Sequence, residues 1–101
     1  MSFNLYASPE ERARLIAGLH DLAAFLENTL EAPAPRTITV HVFSPTGMPD
    51  TERRAEIDAI AARTGAQARE TAGGHYTAPL YFGPVEYRPV AIPHNDNGES
   101  E

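Results

Sequence analysis

Four histidines are the first residues in this 101-residue sequence that could do chemistry: His20, His41, His75 and His94. A metal site needs ligands brought to one point by spacing, as in His-x-x-x-His on a helix, or by a cluster with carboxylates. Neither pattern occurs. There is no cysteine, so thiolate ligands, cysteine nucleophiles and disulfides are excluded. His41 and His75 fall on different strand segments, and they are the one pair that folding could bring together as a metal or catalytic site. A strand histidine is more often an ordinary half-exposed residue.

Other routes to catalysis are thinner. Ser2, Ser8, Ser44 and Ser100 lie near termini, at a helix start or in a loop, and no Gly-x-Ser-x-Gly elbow surrounds any of them. Gly73-Gly74 lacks the lysine and the Gly-x-x-x-x-Gly frame of a phosphate loop. Asp21, Glu27 and Glu31 share a helical segment and read as its solvated side. The sequence therefore leans away from an enzyme and implies no cofactor.

The aromatic residues are more suggestive. Tyr76, Tyr81, Phe82 and Tyr87, with Arg88, crowd into one stretch near the C-terminus. Strand alternation puts Tyr76, Ala78, Leu80 and Phe82 on one face, with His75, Thr77 and Tyr81 on the other. Val85 and Tyr87 oppose Glu86 and Arg88 in the same way. Tyrosine and arginine are favoured at binding hot spots, although aromatic pairs also suit ordinary sheet packing. Tyr81, Tyr87 and Arg88 are thus the candidate contacts for a protein partner or for a second copy of the chain. Phe25 joins them, because it lies about 120° from the centre of its helix's apolar stripe.

The elements that would position these residues are legible. Ser8-Pro9-Glu10-Glu11 is a helix start: Ser8 and Glu11 suit a capping box, and Pro9 suits the first helical position. Leu15, Ile16, Leu19, Leu22, Ala23, Leu26 and Leu30 follow at helical spacing, and Pro33 and Pro35 close the segment. Thr37 to Phe43 alternates β-branched with polar residues, which predicts a strand half-buried on its Ile38, Val40 and Val42 side. Asp50 or Thr51 should cap a second helix reaching Thr64, with Gly65 as its stop and Ile57, Ile60, Ala61 and Thr64 buried. Ala55, Ala59 and Ala62 line its other side. Ala66 to Ala72 reads as a strand, Gly73-Gly74 as a two-residue turn, His75 to Phe82 as the returning strand, and Val85 to Ile92 as a last strand beyond Gly83-Pro84. Pro79 and Pro89 cannot donate to a ladder and should mark edges, strand ends or short pairing.

The order α-β-α-β-β-β predicts an α+β fold, a small, mostly antiparallel sheet with two helices packed on one face. The first strand, second helix and next strand could form a crossover. Residues 1–93 make one domain on this reading, and residues 94–101 an acidic, disordered tail.

Composition narrows the partners. All eight basic residues are arginine, against fourteen acidic ones, for a formal charge of −6. Asp96, Glu99 and Glu101 supply three of those negative charges, leaving −3 on the rest. Such a surface does not suit phosphate binding, so no nucleic-acid partner is expected. Acidic mimicry of nucleic acid, as an inhibitor of a host enzyme, would need denser carboxylates. No apolar run approaches the length of a membrane span, and Met1 to Tyr6 lacks the features of a secretory signal, so the expected location is cytoplasmic.

Gly73-Gly74-His75-Tyr76, then Ala78, Phe82-Gly83, Val85, Tyr87 and Ala91, together with Leu22 to Glu27, resemble a pattern in small uncharacterised proteins of actinomycetes and of their plasmids and phages. The resemblance covers about half the chain in two segments. It implies an accessory, mobile-element context in a GC-rich bacterium, in keeping with sixteen alanines and no lysine. It implies no reaction. The reading as a whole is a non-catalytic interaction module, with a metal protein or enzyme built on His41 and His75 as the alternative.

Overall fold

The computed structural model describes residues 6–44 and 47–93. The expected acidic tail, 94–101, lies outside the described residues. Two compact units make up the chain, Met1–Arg36 and Thr37–Glu101. The protein is α+β.

The first unit carries helix α1, Pro9–Asn28. Its start is the expected capping box. The Glu11 N–H donates to Ser8 Oγ at 3.1 Å, and the Ser8 N–H donates to Glu11 Oε1 at 2.9 Å. Two of the three orphan donors of the first turn, where Pro9 has no N–H, are satisfied in this way. The helix stops well before Pro33. Asn28 turns its side-chain amide back to the Ala24 carbonyl, and a turn closed by Ala32 N–H on Thr29 O follows. Leu30 therefore falls beyond the helix, not on its stripe. No residue of α1 is buried.

The second unit is a five-stranded mixed sheet and helix α2. The strands are β1 (Ile38–Phe43), β2 (Arg69–Glu70), β3 (Tyr76–Thr77), β4 (Leu80–Phe82) and β5 (Val85–Ala91). β5 is the axis. β1 lies parallel along one side of it, and β4 and β3 pair antiparallel along successive halves of the other side, with β2 outside β3. Three of the four pairings are antiparallel. The crossover from β1 through α2 reaches a strand of the same direction, β2, but β5 and β3 lie between them.

The prolines explain why the returning strand is two strands. Tyr76 faces Ala91 and Thr77 faces Val90, while Leu80 faces Tyr87 and Phe82 faces Val85. These pairs share one register, so Ala78 faces Pro89 with no residue inserted. Ala78 N–H donates to Pro89 O at 3.2 Å. In an antiparallel ladder the opposite residue returns that bond, and Pro89 has no N–H to return it. One bond is missing at mid-hairpin, and the strand breaks there. Pro79 takes the next position, where the backbone nitrogen points away from β5, so it removes no bond to β5. The hairpin closes on Gly83-Pro84, with Gly83 at φ +59° in the first central position, where a type II′ turn needs glycine.

Helix α2 spans Asp50–Thr64 and ends on Gly65 at φ +80°, whose N–H bonds Ala61 O. Its N-cap is Pro49, not Asp50 or Thr51; the helix has already begun at Asp50, whose carboxylate lies 3.8 Å from Arg53. Ile57, Ile60 and Ala61 form the core with Ala78 and Ala91 of the sheet. Thr64 is exposed, and its hydroxyl donates to Ile60 O within the helix. Arg53 is buried at 8% exposure and donates from Nη1 to Ile92 O at 2.8 Å, tying the helix to the end of β5. The expected strand at 66–72 shrinks to Arg69–Glu70, whose side chains are both exposed. The turn after it is Ala72-Gly73-Gly74, three residues closed by Thr71 N–H on His75 O, with both glycines at positive φ.

Candidate interaction surface

Alternation and register divide the sheet's side chains between two faces. Ala78, Ala91 and Tyr76 point to α2, and so do Val85, Tyr87 and Leu80 by alternation. Thr39, His41, Phe43, Arg69, Tyr81, Glu86 and Arg88 lie on the opposite face, which Thr77 and Val90 share by register although they are buried at 0% and 3% exposure. Tyr87 is turned from Arg88 as alternation requires, and the register turns it from Tyr81 as well, so the three candidate contacts do not share one face.

The open face is organised around Glu86. Its carboxylate accepts from Arg88 Nε at 2.7 Å and from Thr39 Oγ1 at 3.3 Å. The Glu86 and Arg88 side chains are only 14% and 24% exposed. This pair is more shielded than a typical surface ion pair, and it fixes the guanidinium in place. Tyr81 stands opposite Glu86 and is 58% exposed. Its hydroxyl accepts from Arg69 Nη2 at 3.4 Å. On the far strand His41 and Phe43 stack, with ring centroids 5.5 Å apart and planes 6° apart. Phe43 is 56% exposed. The result is two exposed aromatic groups flanking a fixed ion pair.

Next to this face is an unpaired strand edge. Ile38 N–H donates to Pro84 O, and Ser44 N–H donates to Val90 O. These two bonds set the phase of the parallel ladder: Ile38, Val40, Val42 and Ser44 turn their backbone groups toward β5. Thr39, His41 and Phe43 turn theirs outward. No strand pairs with that side among the described residues. The edge also lacks the usual protections, since β1 holds no proline, lysine, arginine, aspartate or glutamate.

No protein-family model matches the chain, and no curated protein or solved structure matches it. The reading of this surface rests on its geometry.

His41 and His75 do not come together. His41 faces Arg88, and the register that pairs Tyr76 with Ala91 sets His75 level with Ile92. Two strand spacings across and four residues along separate them by about 16 Å, too far to share one ion. Among the described residues no three histidine or carboxylate side chains gather into a metal set. No helix there is long and apolar enough to cross a membrane. Phe25 is on α1 at 49% exposure, within the range of its stripe neighbours Leu15 and Leu22 at 55% and 43%. It is not singled out from them.

Two features escaped the sequence reading. Phe43 and Thr39 belong to the open face through the same alternation that placed Val40 inward, so the signal was present. Arg53 was invisible, because nothing in a helical arginine announces a carbonyl partner 39 residues away. A small cavity of about 150 Å³ beside it is lined by Asp50, Arg53, Arg54 and Ile92 among others. Each arginine there already faces an acid, Arg53 with Asp50 at 3.8 Å and Arg54 with Glu70 at 3.2 Å.

Proposed function

We propose that the chain is a non-catalytic protein-interaction module that receives an extended segment of protein along the open edge of β1, with the Tyr81, Phe43 and Arg88 face beside it. The observation that carries this reading is the run of outward-facing backbone groups at Thr39, His41 and Phe43. An unpaired edge supplies binding through main-chain bonds, and the neighbouring side chains supply selectivity. Tyrosine, phenylalanine and a pre-positioned arginine are suited to that second role. The Glu86 carboxylate holds Arg88 in one orientation, so little side-chain entropy remains to be lost on binding.

The resemblance to small actinomycete, plasmid and phage proteins, with the arginine-only composition, supports a cytoplasmic accessory role in a GC-rich bacterium. The test is a photo-reactive residue placed at Tyr81, with one at exposed Arg63 on α2 as control, in cells making the full chain. Protein adducts should form at Tyr81 and fall when Thr39→Pro is added. Equal labelling at both positions, untouched by the proline, contradicts the proposal.

A further inference from the structure

The β1 edge has a sequence that fits itself. About His41 the strand reads Thr39-Val40-His41-Val42-Phe43, with a valine on each side and an outward-facing residue at each end. We infer that the partner strand is β1 of a second copy, paired antiparallel about a twofold axis at His41. This rests on the interaction reading above and names its occupant.

The geometry is closed. Turning β1 about that axis sets Thr39 opposite Phe43 of the second copy, His41 opposite His41, and Phe43 opposite Thr39. All three are residues whose N–H and C=O face outward, so each pair exchanges two bonds and the ladder holds about six. A register shifted by one residue would oppose outward-facing groups to inward-facing ones and lose the ladder. The twofold also preserves the faces. Val40 and Val42 meet their copies on the α2 side, and the stacked His41 and Phe43 meet threonine and histidine on the open side, where aromatic and β-branched pairs are favourable.

Charge argues for the same occupant. A strand carrying a lysine, arginine, aspartate or glutamate at its centre would repel its own copy, and β1 holds none of these. The charges beside it on β5 are Arg88, level with His41, and Glu86, which holds the Arg88 guanidinium and accepts from Thr39. A self-paired interface is isologous and closes at two, which protects the edge from open-ended addition.

The experiment is solution mass on the full chain, wild type and three variants. Wild type should run as a dimer of the 11.0 kDa chain. His41→Pro should be monomeric with unchanged circular dichroism, because the nitrogen at position 41 points away from β5 and supports no bond of the fold. His41→Glu and His41→Lys place like charges on the axis and should each weaken the dimer by roughly tenfold or more. Mixed one to one, they should form a heterodimer tighter than either homodimer. That rescue requires position 41 to face itself, and it decides the matter even where the proline variant fails to fold.

A monomeric wild type at 100 µM overturns the self-pairing; adducts at Tyr81 would still support the broader reading. A dimer unaffected by either charge variant overturns it too, by placing the interface elsewhere.

Discussion

At the scale of single residues, two side chains give direct tests of the packing. Thr77 is fully buried, and its hydroxyl finds no hydrogen-bond partner. A buried, unbonded hydroxyl carries its desolvation cost without return. Thr77→Val keeps the branch and removes that cost, so the variant should be more stable by about 1 kcal/mol in denaturant unfolding. Tyr76 is the second. Its hydroxyl donates to Asp58 Oδ1 at 2.6 Å, and Arg54 lies 4.1 Å over its ring. The bond to Asp58, with desolvation and the Asp58 charge behind it, raises the phenol above its usual value of 10.0. A raised value means that the folded chain holds the proton more firmly than the unfolded one. The associated stability is therefore present below pH 10 and is lost as pH rises through the raised value. Alkaline titration of stability should show this loss in the wild type, and Tyr76→Phe should flatten it.

Elements were the most legible scale, and their limits have physical causes. The capping box of α1 and the glycine stop of α2 depend on neighbours three or four residues apart, so local sequence specifies them. The β1 alternation is equally local. The start of α2 was misplaced by a residue because Pro49 occupies the cap without a side-chain bond, and the usual polar signal is absent. Placing β1 beside β5, not β2, needs long-range pairing that no local pattern encodes. The prolines sit between these cases. Their effect was foreseeable, but which one would break the ladder depended on register. Only the Ala78–Pro89 pairing shows that Pro89 removes a bond to the neighbouring strand and Pro79 does not. Pro89→Ala should restore the missing donor. Its new amide should exchange slowly with solvent, bonded to Ala78 O, and join β3 to β4. Fast exchange at that position would contradict the register.

For the whole molecule, the functional question moved from side chains to backbone. Sequence pointed to Tyr81, Tyr87 and Arg88, and the fold keeps Tyr81 and Arg88 on the open face while turning Tyr87 to the other. It separates His41 from His75, and it gives His41 a different place, at the centre of an unpaired edge. The self-pairing account stands or falls on that edge. Residue-resolved amide exchange over a dilution series tests it most directly. At low concentration Val40 and Val42, bonded to β5, should exchange slowly, and Thr39, His41 and Phe43 should exchange fast. At high concentration all five should be slow. A pattern that does not change with concentration would contradict self-pairing at this edge.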